Sequence, residues 1–214
     1  MYISSQYDQR SVLITTDYIL QFVILRSHSK IILMGEHAVV YDYPAIALPF
    51  NSANVTVTIT PSQSDQSFIH SSYYDGVIDD APITLDNLKQ AILVTLNSLK
   101  LTSTPMDITI DSSIPSGRGM GSSAAVSVAL VRALANFYKH SISDYQLNFI
   151  VNKAEVIAHE STSGLDTLLA STNSPVIYRK SKAAKPIRLN LDAYLIVADS
   201  DMPGQTKTAV SKVR

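Results

Sequence analysis

A chain of 214 residues with 17 basic and 18 acidic side chains and no cysteine has the size of one domain, or of one domain with part of a second. Its net charge of −1 argues against nucleic-acid binding, which draws on a basic field. The lack of cysteine excludes disulfides and thiolate metal sites and favours a cytoplasmic location.

The opening apolar stretch, Val12–Leu25, is broken by Thr15, Thr16 and Asp17. It falls short of the roughly 20 apolar residues of a spanning helix, and no small-residue cleavage site follows it, so neither a membrane span nor a signal peptide is expected. Lys30–Met34 predicts a buried strand ended by Gly35, with a turn over Tyr41–Pro44. Val55, Val57 and Ile59 alternate with threonines, the period of a half-buried strand. Residues 61–76, rich in Ser, Gln and Asp, read as a loop or hairpin tip. Leu85, Leu88, Ile92, Leu93, Leu96 and Leu99 fall at helical spacing, and Met106, Ile108 and Ile110 alternate as a strand. Past a glycine-rich loop, helices are expected over Ser122–Tyr138 and Asp144–His159. In the second, Asp144 is the expected N-cap, with Leu147, Ile150, Val151 and Ala154 facing inward. Residues 175–178 and 193–198 read as strands and 206–213 as a further helix. Strands and helices mix without a regular βαβ rhythm, which makes α+β the expected class.

Chemistry concentrates in the loop Pro115-Ser-Gly-Arg-Gly-Met-Gly-Ser-Ser-Ala-Ala125. Glycines at 117, 119 and 121 allow positive φ and close backbone approach. The loop opens into a helix whose unpaired N–H groups and positive dipole end favour phosphate. The hydroxyls of Ser122 and Ser123 can cap that helix or offer oxygen to a phosphate-bound Mg²⁺. No Gly-Lys-Ser/Thr ends the loop, so it is not a Walker loop, and no acidic residue completes a dinucleotide fingerprint. By themselves these glycines equally describe a turn before a serine-capped core helix. Glu155 and His159, spaced i,i+4, share a helix face, but no third zinc ligand is identifiable.

The loop is similar to the central ATP-binding motif of the GHMP kinases. Lys30-Ile-Ile-Leu-Met-Gly-Glu-His-Ala-Val-Val-Tyr41 resembles the first motif of that family in the form carried by mevalonate kinases. His159-Glu-Ser-Thr-Ser-Gly-Leu-Asp166 resembles the segment bearing the catalytic aspartate. The Arg-Gly-Met-Gly-Ser-Ser variant is most like mevalonate kinases of Gram-positive bacteria.

The resemblance implies a ribosomal protein S5 domain 2-like amino-terminal domain over residues 27–188, after an atypical extension over 1–26. Residues 189–214 would begin a ferredoxin-like carboxy-terminal domain. No third, glycine-rich motif follows Thr206, so a fragment is expected, its activity alone left open. ATP and Mg²⁺ are the implied cofactors, mevalonate the small-molecule partner, and a homodimer an admissible assembly. Asp166 would be the base and Lys30 its catalytic partner. Pro115, Gly117, Arg118, Gly119, Met120, Gly121, Ser122, Ser123, Ala124 and Ala125 would hold ATP, Ser123 and Glu155 the metal, and Glu36, His37 and Thr206 the substrate.

Four positions depart from the family pattern: Asp42 and Asp201, where Gly is usual, and Ser161–Thr162, where Asn-Pro is usual. Another GHMP kinase with a different alcohol, or a non-catalytic nucleotide-binding remnant, are the alternative readings.

Overall fold

The computed structural model describes residues 22–159, 162–190, 192–199 and 212–213. Its elements in chain order are β1 (Val23–Met34), β2 (Ala45–Pro61), β3 (Phe68–His70), β4 (Asp75–Val77), α1 (Asp86–Leu99), β5 (Met106–Ser112), α2 (Ser122–Phe137), α3 (Asp144–His159), α4 (Leu165–Ser171), β6 (Val176–Tyr178) and β7 (Lys185–Pro186). Strands and helices mix as expected of an α+β fold.

The strands form one sheet in the order β4-β3-β5-β2-β6-β7, with β1 on the other edge of β2. Every pairing is antiparallel except β3 with β5. β2 organises the sheet. Along one side it pairs with β1 from Val23↔Ile59 to Met34↔Ile46. On its other side it pairs first with β6 and then with β5. The alternation at Val55, Val57 and Ile59 puts all three side chains out of reach of water, where they meet Met106 and Ile108 of β5. α2 packs on this face, and its Val128, Leu130, Val131 and Leu134 are fully buried. A helix apolar on nearly all sides needs cover on nearly all sides; β1 and β2 supply it below, and α1, α3 and α4 around the flanks. A smaller cluster of Val39, Ala45, Ala47, Leu165, Leu169 and Val176 seats α4 against β2.

The structure corrects several sequence expectations. β1 begins at Val23 rather than Lys30, because Val23–His28 continue the ladder with β2 up to a register shift at His28/Ser29. The N-cap of α3 is Ser143, not Asp144. Gln146 N–H donates to Ser143 Oγ at 3.3 Å, and Ser143 N–H donates back to Gln146 Oε1 at 3.0 Å, a reciprocal capping box. Residues 61–76 hold a β3–β4 hairpin beyond the end of β2. Residues 193–198 form no strand. Tyr194 is 98% and Ile196 89% exposed, and among the described residues no strand offers these backbone groups the ladder a strand requires. The helix expected over 206–213 falls largely outside the described residues.

Asp42 closes the short 3-10 turn Ala38–Tyr41 in a left-handed conformation, φ 66°, which explains why glycine suits this position. Here the carboxylate is put to use. Ser181 N–H and Oγ donate to it at 2.7 Å each, and Arg179 Nε at 3.1 Å. Those Ser181 hydrogen bonds, with help from Arg179, hold the Asp42 carboxyl below its ordinary pKa. A depressed pKa means that the charged form stabilises the fold above the unfolded value of about 3.9. That stability is lost as pH falls through the folded value. Asp42→Asn keeps a residue that tolerates left-handed backbone and removes the charge together with one of the two acceptor oxygens. The variant is therefore expected to be less stable than the parent at pH 7, the gap closing as denaturation is repeated toward pH 3. A gap that persists undiminished at pH 3 would show that the charge is not responsible.

Candidate active site

The glycine loop is built as its spacing requires. Gly117, Gly119 and Gly121 have φ of 70°, 70° and 72°, and Lys30 N–H donates to Met120 O at 3.1 Å, pinning the loop to β1. Gly121 is the N-cap of α2 and brings no side-chain cap. The first turn of α2 thus faces the cavity without a capping hydroxyl of its own cap residue, and its N–H groups and dipole end are those that favour anions.

A cavity of about 450 Å³ lies over this loop, within the range of small-molecule sites. Pro115, Gly117, Arg118, Gly119, Met120, Gly121, Ser122, Ser123 and Ala124 line it, together with Glu155 and Asp166. Ala125 does not: it is fully buried in the core behind the loop, since the helix turns its second alanine inward.

Two polar pairs lie at this cavity, with Asp166, Ser123 and Glu155 in its wall and the buried Lys30 outside it. Lys30 Nζ lies 3.2 Å from Asp166 Oδ1, the lysine side chain 4% exposed and the carboxylate 42%. Lys30 follows a register shift at His28/Ser29, where β2 carries the extra residues Asn51–Ala53 between Phe50 and Asn54, and both Ser29 and Lys30 are buried. Asp166 enters from the first turn of α4, behind a positive-φ Gly164. The second pair is Ser123 and Glu155. Ser123 Oγ donates to Glu155 Oε1 at 2.8 Å, and Ser127 Oγ donates to the same oxygen at 3.2 Å. Glu155 is a buried residue of α3, held where that helix crosses α2. Ser123 does not cap α2, one of the two roles open to it from sequence.

The expected substrate residues fare differently. Glu36 and His37 follow the end of β1, their side chains 3.8 Å apart, and neither is part of the cavity wall. His37 sits at φ 63°, a conformation that is uncommon for a residue with a side chain. Thr206, like Asp201 and Ser161, lies outside the described residues. Arg118 of the loop reaches Asp199, Nε to Oδ2 3.3 Å.

Sequence reasoning missed Asn87, whose amide donates to Ser123 Oγ at 3.0 Å from the first turn of α1, and Ser127 on Glu155. It also missed Ser71–Tyr73, which reach the rim from the β3–β4 hairpin. An asparagine in a first turn and a serine in an apolar helix carry no signal that marks them out.

Groups of three or more His, Asp or Glu able to hold a metal do not occur among the described residues. Ser123 and Glu155 nonetheless fit Mg²⁺, a hard cation that takes one or two protein oxygens and completes its shell with phosphates and water. Among the described residues no helix is long and apolar enough to cross a membrane.

Comparison with known proteins agrees with this geometry. Residues 86–174 match the GHMP kinases N terminal domain. The chain is 31% identical over 193 residues to a mevalonate kinase of Methanothermobacter thermautotrophicus, covering 86% of this chain and 59% of that protein. It is 27% identical over 209 residues to a mevalonate kinase of Pyrococcus horikoshii, covering 91% and 62%. The chain thus spans about three fifths of these relatives' length. Among solved structures, the Methanococcus jannaschii mevalonate kinase superposes with a TM-score of 0.71 at 26% identity, covering 78% of this chain and 56% of that one. The mevalonate kinase of methicillin-resistant Staphylococcus aureus gives 0.62 at 37% identity, covering 78% and 55%. With its glycine loop, its Lys30–Asp166 pair and these likenesses, the chain carries the amino-terminal fold of the GHMP kinases.

Proposed function

We propose that this chain serves an ATP-dependent mevalonate kinase, moving the γ-phosphoryl group of ATP to the C5 hydroxyl of (R)-mevalonate to give 5-phosphomevalonate and ADP. The observation that carries the reading is the Lys30–Asp166 pair beside a glycine-lined cavity. The relatives at 26 to 37% identity are mevalonate kinases by name.

Phosphoryl transfer asks a protein mainly for alignment and charge neutralisation. Asp166 accepts the hydroxyl proton as the C5 oxygen bonds to the γ-phosphorus, the bond from that phosphorus to the β,γ-bridging oxygen breaks, and ADP leaves. Lys30, buried and fixed at 3.2 Å, offsets the negative charge that spreads over the transferring oxygens. The loop backbone and the first turn of α2 hold the phosphate chain. Ser123 Oγ and Glu155 Oε1 would hold Mg²⁺, which when bound neutralises charge on the β- and γ-phosphates. Glu36, His37 and Thr206 are proposed to position the hydroxy acid.

The test is ADP release from ATP and Mg²⁺ with mevalonate, run beside homoserine and galactose. Release with mevalonate alone supports the reading; release with another of these alcohols and not mevalonate overturns the substrate. A second arm addresses the metal. Glu155→Gln is expected to raise the Mg²⁺ concentration for half-maximal nucleotide binding at least about tenfold. An unchanged Mg²⁺ dependence would remove Glu155 from the metal site.

A further inference from the structure

Tyr178, the last residue of β6, neither lines the cavity nor belongs to the Lys30–Asp166 pair, yet it is tied to the turn that delivers Asp166. Its backbone pairs with Ala45 of β2, and its ring packs on the small cluster that includes Ala45, Leu165 and Leu169. From there its hydroxyl donates to the carbonyl of Ser163. The turn's other side-chain hydrogen bonds among the described residues come from within it. Gly164 N–H donates to Thr162 Oγ1 at 3.1 Å, and Leu165 N–H to Ser163 Oγ at 3.3 Å. Gly164 takes φ 77°, and a Cβ there would stand 3.3 Å from the Tyr178 hydroxyl. Two residues on comes Asp166. Local hydrogen bonds fix the shape of such a turn but not its place in the molecule. The link from a strand of the sheet does that.

We infer that Tyr178 is a positioning residue for Asp166, anchoring the Ser163–Gly164 turn to β2 so that the carboxylate stays in register with Lys30 on β1. Burial first, and the Asp42 carboxylate second, push the Tyr178 phenol above its ordinary pKa, so it remains a donor through neutral and mildly alkaline pH. The strand end is itself held, since the next residue, Arg179, and Ser181 grip Asp42. The carboxylate that departs from the family's usual glycine thus braces the support of the base.

The inference rests on the phosphotransfer reading above, and the experiment has one arm that depends on turnover and one that does not. Tyr178→Phe, which deletes only the hydroxyl, is expected to lower kcat about tenfold with both KM values unchanged, as a misaligned base does. In the same variant, amide hydrogen exchange should accelerate at Gly164, Leu165 and Asp166 while α2 and β2 stay protected. If kcat and local exchange both match the parent, Tyr178 does not position Asp166. If exchange rises uniformly across α2 and β2, its role is general stability, and the inference also fails. Should Tyr178→Phe not fold, Gly164→Ala displaces the same turn against an intact tyrosine and should give the same loss of kcat; normal kcat there overturns the idea. A parent without turnover on any alcohol would count against the proposed function, and the exchange arm alone would then decide this one.

Discussion

Asp166→Asn is expected to lower kcat by about 10²- to 10⁴-fold, the span general-base catalysis usually contributes, while the affinity for Mg²⁺ and nucleotide stays near that of the parent. Asparagine has the same shape and offers Lys30 an amide oxygen, but it accepts no proton from the alcohol. The change also strips a counter-charge from a lysine whose side chain is 4% exposed. Breaking a fully buried pair costs about 3–5 kcal/mol. Here the cost is smaller, because the carboxylate is 42% exposed and partly screened by water. Activity should therefore fall far more than stability. ADP release and thermal melting, measured on the same preparation, check both. Turnover within threefold of the parent would dismiss Asp166 as the base and leave its pairing with Lys30 a structural matter.

Gly121→Ala should damage the site from the opposite side. Gly121 stands at φ 72° as the N-cap of α2, a backbone state that costs a residue with a side chain roughly 1–3 kcal/mol. The added methyl would also lie 3.1 Å from Lys30 Cγ and 3.7 Å from Asp166 Cβ. Lys30 cannot retreat easily, because its backbone is held to β2 and to Met120 O. Displacement of its side chain should cost about 10²-fold in kcat, the usual penalty for a shift of an ångström among reacting groups. Gly119→Ala supplies the comparison. It has the same positive φ but open space around the new methyl, so it bears the strain without the push on Lys30. Equal losses of kcat in the two variants would assign the effect to strain alone.

What could be read in advance was local. The alternation at Val55–Ile59 and Met106–Ile110 and the helical spacing from Leu85 to Leu99 each report one face of one element, and each element formed. Even the pairing of Lys30 with Asp166 was visible through family motifs, which record pairings that no local pattern contains. The misses share a cause. The register shift at His28/Ser29 comes from extra residues in β2, Asn51–Ala53, so nothing within β1 reveals that Ser29 and Lys30 are both buried. Ser143 and Asp144 are both good caps, and the choice fell to Gln146, which reaches back to Ser143. Leu165–Ser171 is only seven residues, too short to show a period, and no helix was expected there. The apolar run 193–198 has the composition of a strand, but a strand exists only with a partner. Asn87 and Ser123 meet across 36 positions of chain, a relation that belongs to the packing of α1 on α2.

β2 serves both halves of the Lys30–Asp166 pair. Lys30 stands opposite Pro49 and Tyr178 opposite Ala45, so the lysine and the anchor of the aspartate's turn are measured off the same rail, four positions apart. Because side chains alternate along a strand, inserting or deleting one residue between Ala45 and Pro49 would turn one of these neighbours to the wrong face. Substitutions in that stretch can be absorbed where volume is kept; a change of length cannot. The count of residues from 45 to 49 therefore behaves as a fixed gauge of the candidate site.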